Sequence, residues 1–148
     1  LRRYRGRETS EGVILMAFNI GLRTKKVAEQ INIFDSTMVR WVTGGVTIDH
    51  TTVTPDSDGR KRLPVGTPLG KITATGKYGP WDTDATDGRQ TAVCMLGENV
   101  DFELDKSGKF GDQVATAFDW ARVISDRLPI DSADLAALKE QLPNITFA

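Results

Sequence analysis

The sequence has one cysteine, one histidine and no apolar run longer than Val13–Phe18. With Cys94 alone there is no internal disulfide, no CxxC redox pair and no zinc knuckle. His50 alone excludes a metal site built on a histidine pair. The apolar run is far below the roughly 18 residues of a membrane helix, so no membrane span is expected. Charge of one sign is not in excess either. Lys and Arg number 19 against 20 Asp and Glu, a net charge of -1, which gives no whole-protein field for attracting nucleic acid. Stability must therefore come from packing or from assembly.

At 148 residues the chain suits one domain with a real core plus an appendage. The charge is unevenly placed. Residues 1–40 hold eight Lys/Arg against four Asp/Glu, and the remainder holds 11 against 16. A basic head on an acidic body marks an arm over 1–40 and a body over 41–148. Arg2, Arg3, Arg5 and Arg7 ahead of Val13–Phe18 superficially resemble a secretory signal. Glu8 and Glu11 interrupt that pattern, and no A-x-A site follows. Met16 follows Glu11-Gly12-Val13, whose codons could hold a ribosome-binding sequence, so an internal start at Met16 stays open. The arm has too little apolar surface to order itself alone and is expected to be held by a partner.

After the arm the signal is mostly strand. Twelve of the sixteen threonines lie between Thr37 and Thr91, mixed with Val and Ile and punctuated by Gly and Pro. Met38–Val42 and Val46–Ile48 flank Gly44-Gly45, the pattern of a hairpin. Asp56-Ser57-Asp58-Gly59 predicts a turn, and strands are expected over 69–75 and 90–96, separated by a loop rich in Gly, Pro and Asp. Residues 114–128 are ambiguous. Val114, Ala117, Phe118, Ala121, Ile124 and Leu128 make a helical stripe, while Val114, Phe118, Trp120 and Ile124 fit alternation. Residues 131–142 predict a helix, with Asp131 or Ser132 as cap, Leu135, Leu138 and Leu142 on one face, and Pro143 as the stop. Ile145-Thr146-Phe147 reads as a terminal strand.

Searches for site chemistry mostly fail for physical reasons. His50, in or beside a Thr-rich strand, reads as a surface or satisfied residue rather than an acid or base. Cys94 lies in Ala92-Val93-Cys94-Met95-Leu96, an apolar setting that raises a thiol pKa and makes it inert. Gly66-Thr67-Pro68-Leu69-Gly70-Lys71 is one residue short of a phosphate loop, and Ile72 stands where Ser or Thr would hold magnesium. Asp82–Gly88 resembles a calcium loop, but its glycine comes one position late and Val93 replaces the bidentate Glu. These Asp and Thr side chains are expected to cap their own loop. No cofactor and no catalytic residue is expected.

Three stretches carry a resemblance: Gly66-Thr67-Pro68-Leu69-Gly70-Lys71-Ile72-Thr73, Lys77-Tyr78-Gly79-Pro80-Trp81-Asp82 and Thr86-Asp87-Gly88-Arg89-Gln90-Thr91-Ala92-Val93. Their order resembles the head decoration proteins of tailed bacteriophages, the phage lambda decoration protein family. In that family a T-P-L strand leads through a hairpin to an aromatic-Asp loop, a T-D-G turn and an apolar strand, here ending at Leu96. The similarity runs from Val42 to Ala148. It implies a mostly β, β-clip-like body of short strands with one C-terminal helix and an extended N-terminal arm. It also implies a homotrimer on the capsid exterior, assembled in the host cytoplasm, with the major capsid protein as partner and no catalysis. Members reach the shell with an N-terminal segment that pairs with a capsid strand. The expected capsid-binding residues of the arm are Arg7, Val13, Ile14, Leu15, Met16, Phe18, Arg23, Lys25 and Lys26. Tyr78, Pro80 and Trp81, rings on a tight Gly-Pro loop, are the expected trimer contact.

Two rivals stand beside this reading. The basic arm could neutralise phosphates, although four arginines flanked by Glu8 and Glu11 promise only weak, salt-sensitive affinity and no specific nucleic acid. A small β-barrel enzyme or binding domain of the lipoyl or dUTPase-like kind lacks the lysine-bearing hairpin and the paired carboxylates it would need.

Overall fold

The computed structural model describes residues 31–148. Among these residues the chain forms ten short strands and one α-helix. The strands are β1 (Arg40–Trp41), β2 (Val46–Ile48), β3 (Lys61–Leu63), β4 (Pro68–Lys71), β5 (Tyr78–Pro80), β6 (Ala92–Leu96), β7 (Val100–Phe102), β8 (Gln113–Ala115), β9 (Ala117–Val123) and β10 (Ile145–Phe147), and helix α1 is Ser132–Gln141. An eight-stranded sheet runs in the order β1-β9-β6-β4-β5-β2-β8, with β10 pairing β9 in parallel. β3 and β7 form a separate antiparallel pair. The expected mostly β body with one C-terminal helix is what forms.

The central strand β6 is buried on both faces except at Val93, which is 43% exposed. On β6, Cys94 and Leu96 enter one apolar cluster with Leu69, Ile48 and Ala117, while Met95 enters another with Phe118, Val123 and Leu138. A strand covered on both sides needs an unbroken apolar run, and Ala92–Leu96 supplies one. On β9 the same division sends Ala117 to one cluster and Phe118 to the other. Tertiary cover thus decides the ambiguous stretch 114–128: it is β8, β9 and then a 3-10 turn at Ser125–Arg127, not a helix. Ile33 is fully buried in the Phe118 cluster and Phe34 pairs with Val123, so both residues belong to the packed body.

Two local expectations need correction. The Gly44-Gly45 turn forms, both glycines at positive φ, but its flanking strands do not pair with each other. β1 pairs β9, whereas β2 pairs β8 and β5, because the turn carries the chain between sheet positions. A Cβ at Gly45 would lie 2.7 Å from the Ala115 carbonyl oxygen, so close approach to β8 demands glycine there. The strand expected over 69–75 stops at Lys71, and the Gly-Pro loop contributes β5, a hairpin partner of β4. His50 begins a 3-10 turn, His50–Thr52, just past the end of β2, in keeping with a place beside a Thr-rich strand.

The helix forms as expected, with Leu138 and Leu142 buried and Leu135 half-buried. Asp131 occupies the N-cap position, but its side chain makes no cap bond. The amides of Asp134 and Leu135 donate to its backbone carbonyl instead. Gln141 ties the helix to the sheet by accepting from the Ala92 amide at 2.7 Å. No helix among the described residues is long and apolar enough to cross a membrane.

Candidate functional site

The loop from Ile72 to Thr91 folds back on β4 and β5, and two glycines make that possible. A Cβ on Gly70 would sit 2.5 Å from the Arg89 Cα, and one on Gly88 (φ +114°) would sit 2.3 Å from the Lys71 carbonyl oxygen. Chain crossing this tight accepts no side chain at either position. Asp87 closes the turn by accepting from the Arg89 amide at 3.1 Å and from its guanidinium at 3.0 Å. Asp82 accepts from the Asp84 amide, so the acidic loop caps its own backbone as expected.

Tyr78 and Trp81 emerge from this crossing, and both lean inward. Tyr78 packs against the Leu69 cluster, and burial pushes its phenol up from the ordinary value. Trp81 packs against the Met95 cluster, and its indole N–H donates to the Gln90 carbonyl at 3.0 Å. Pro80 is half-buried at the end of β5. The three expected trimer-contact residues are near neighbours in sequence and each keeps part of its surface outward, but Tyr78 and Trp81 pack against different clusters. The arm residues Arg7, Val13, Ile14, Leu15, Met16, Phe18, Arg23, Lys25 and Lys26 lie outside the described residues.

The most polar cluster centres on Asp112. Its Oδ1 accepts from the His50 ring Nδ1 at 2.8 Å and from the His50 amide at 3.1 Å, and its Oδ2 accepts from Lys77 Nζ at 2.6 Å. An ionised carboxylate only accepts, so His50 Nδ1 is the donor in this bond. Lys77 first, then the His50 ring and amide, hold the Asp112 carboxyl well below the usual carboxylate range. Asp49, His50 and Asp112 bring ligand-type atoms within 4.8 Å of one another. The cation already on that carboxylate is the Lys77 ammonium, so the cluster reads as a clip joining the Asp112 loop to the turn after β2 and to the β5 hairpin. Sequence reasoning missed it, because the partners are 62 and 35 residues apart in the chain.

A depressed folded-state pKa adds stability above the unfolded value of about 3.9, and that stability is lost as pH falls toward the folded value. Asp112→Asn should therefore lower stability by about 1–3 kcal/mol at pH 7. The gap between variant and parent should shrink steadily below about pH 4. Urea melts across that range test it, and a gap of constant size would show that the charge of Asp112 is not what stabilises the fold.

Cys94 is buried and its thiol is pushed up to about 12 by desolvation, in line with the inert reading. Sequence reasoning also missed a set of exposed apolar side chains: Met38, Trp41 and Trp120 are 65%, 47% and 40% exposed. The signal was present in the two tryptophans, but strand periodicity does not say which face is covered.

The remaining observation is comparative. Residues 40–116, from the start of β1 to just past β8, match the family described as Bacteriophage lambda head decoration protein D. The chain belongs to that family. No curated protein matches the chain. The matched span contains the Gly70–Gly88 crossing, β5 and the Asp112 clip. The family is one of structural proteins of the phage head, not of enzymes. Helix α1 and β10, which the sequence resemblance also took in, lie beyond the matched span.

Proposed function

We propose that this chain is a capsid decoration protein that binds the outside of a tailed-phage head as a homotrimer and stabilises the shell against internal DNA pressure. The observation that carries the reading is the family match over β1 to β8. The partner is the major capsid protein. A protein that binds only the assembled lattice shifts the equilibrium away from the opened one by mass action, which needs contact area and no chemistry. Residues 1–30 act as the arm that reaches the shell, shorter than the 1–40 that the charge pattern suggested, because Ile33 and Phe34 already pack into the body. Val13–Phe18 puts five large apolar side chains around one alanine, too short a stretch to bury them on itself. Arg7, Arg23, Lys25 and Lys26 then orient the arm on acidic patches of the capsid more than they add affinity.

Tyr78, Pro80 and Trp81 are the proposed copy-to-copy contact. The expected result for Trp81→Ser is a folded body whose mass by light scattering falls below that of a trimer. Retention of the trimer mass would confine Trp81 to its own core. The function itself is tested by co-sedimentation of the full chain with expanded, undecorated heads. A chain that sediments with free DNA but not with heads would move the assignment to the nucleic-acid reading.

A further inference from the structure

We propose that Asp49, His50 and Asp112 form a binding site for a divalent metal ion of the zinc type, with Lys77 on the second oxygen of Asp112 setting how tightly the ion is held. The site uses none of the residues assigned to the copy-to-copy contact and does not rest on the decoration reading.

Three donors of suitable chemistry meet here from two distant parts of the chain. Asp49 and His50 stand at the start of the 3-10 turn His50–Thr52, and Asp112 lies just before β8, 62 residues from His50. One ligand-type atom from each side chain lies within 4.8 Å of the other two. Zinc holds nitrogen and oxygen ligands at about 2.0–2.2 Å, which puts two tetrahedral ligands ~3.3 Å apart. His50 Nδ1 and Asp112 Oδ1 are already 2.8 Å apart, so closing the set takes side-chain movements on the order of 1–2 Å.

Each donor has a position to give. The bonds that the Asp49 side chain accepts, from the Thr51 amide at 3.0 Å and its hydroxyl at 2.7 Å, both fall on Oδ1, which leaves Oδ2 open among the described residues. Lys77 takes Asp112 Oδ2 at 2.6 Å, so Oδ1 faces His50. His50 Nδ1 donates to that oxygen, and the ion takes the place of the donated proton while the neutral ring carries its own on Nε2. The turn itself is tied down, because Lys61 Nζ donates to the His50 carbonyl at 2.8 Å.

The charges favour a further cation. The Asp49 and Asp112 carboxylates are close enough to repel each other, and the Lys77 ammonium offsets only one of the two. The His50 and Asp112 side chains are 30% and 25% exposed, so water can complete the coordination. Calcium and magnesium favour shells made of oxygen alone, whereas an imidazole nitrogen with two carboxylates suits zinc. An ion held here joins the turn after β2 to the segment entering β8. It stabilises the folded body, because the unfolded chain offers no such set.

The experiment strips the full chain with a chelator and titrates it with zinc by calorimetry, with cobalt as a visible-absorption probe of coordination and calcium as the comparison ion. The chain has a single histidine, so the His50 ring signals in nitrogen NMR need no assignment. We expect one zinc per chain, a shifted Nδ1 resonance and, at a hundredfold excess over Kd, a rise in Tm of about 5–10 °C. His50→Gln should bind zinc at least tenfold more weakly and Asp49→Asn several-fold more weakly, with the fold checked by circular dichroism. Lys77→Met should bind several-fold more tightly, since it removes a competing charge, whereas a variant that only loosened the fold would bind less. Asp49→Asn and Lys77→Met carry the test if His50→Gln fails to fold. Zinc affinity of His50→Gln within twofold of the parent would place the ion elsewhere on the chain and overturn the proposal. Calcium binding as tight as zinc would do the same, because it would assign the effect to the carboxylates alone. So would an unshifted His50 ring, or no binding at all, at millimolar zinc.

Discussion

Removing residues 1–30 should leave a folded body that binds undecorated heads about 100-fold more weakly than the full chain. Burying the five large side chains of Val13–Phe18 is worth roughly 7–15 kcal/mol in gross apolar transfer. Ordering the six residues costs on the order of 6–12 kcal/mol in backbone freedom, so a net of ~3 kcal/mol is a fair expectation. That corresponds to about two decades in affinity. The cut must stop before Ile33, which is fully buried, and Phe34, which stacks on Phe118. A deletion reaching residue 35 would damage the core and confuse folding with binding. Co-sedimentation at several salt concentrations separates the contributions, because the basic residues should give a salt-dependent part and the apolar run a part that persists. Equal binding by full-length and truncated protein would show the arm to be a passenger.

Phe118→Ala should be the most damaging single substitution in the body, costing about 3–5 kcal/mol. The side chain is fully buried, lies opposite Met95 across the β6–β9 ladder and meets the rings of Phe34 and Trp41. Its removal leaves a cavity among Phe34, Trp41 and Met95, and domains of this size hold only about 5–15 kcal/mol in total. A fall in Tm of roughly 10–20 °C is expected, read by calorimetry. Trp120, two residues along the same strand, is 40% exposed, so Trp120→Ser should change Tm by only a few degrees. A Phe118→Ala protein within about 1 kcal/mol of the parent would mean that the two apolar clusters are far more plastic than close packing allows.

Much of this protein was open to sequence reasoning. The Thr, Val and Ile content called for short strands and the leucines at 135, 138 and 142 called for the helix, because each of these follows from local composition or spacing. The family, too, was legible in the motifs between Gly66 and Val93, whose glycines mark backbone crossings too close for a side chain. What local pattern could not settle was decided by partners far away in the chain. Whether 114–128 became helix or strand depended on clusters pressing on both faces of β9. The Gly44-Gly45 turn could not reveal that its two strands pair elsewhere, since hydrogen-bond partners are chosen by the whole sheet. Asp112 needed His50 and Lys77 brought to it before its charge meant anything. Only the tertiary structure distinguished Phe118 from Trp120, because an aromatic ring on a strand is core or contact surface according to what the rest of the chain lays over it.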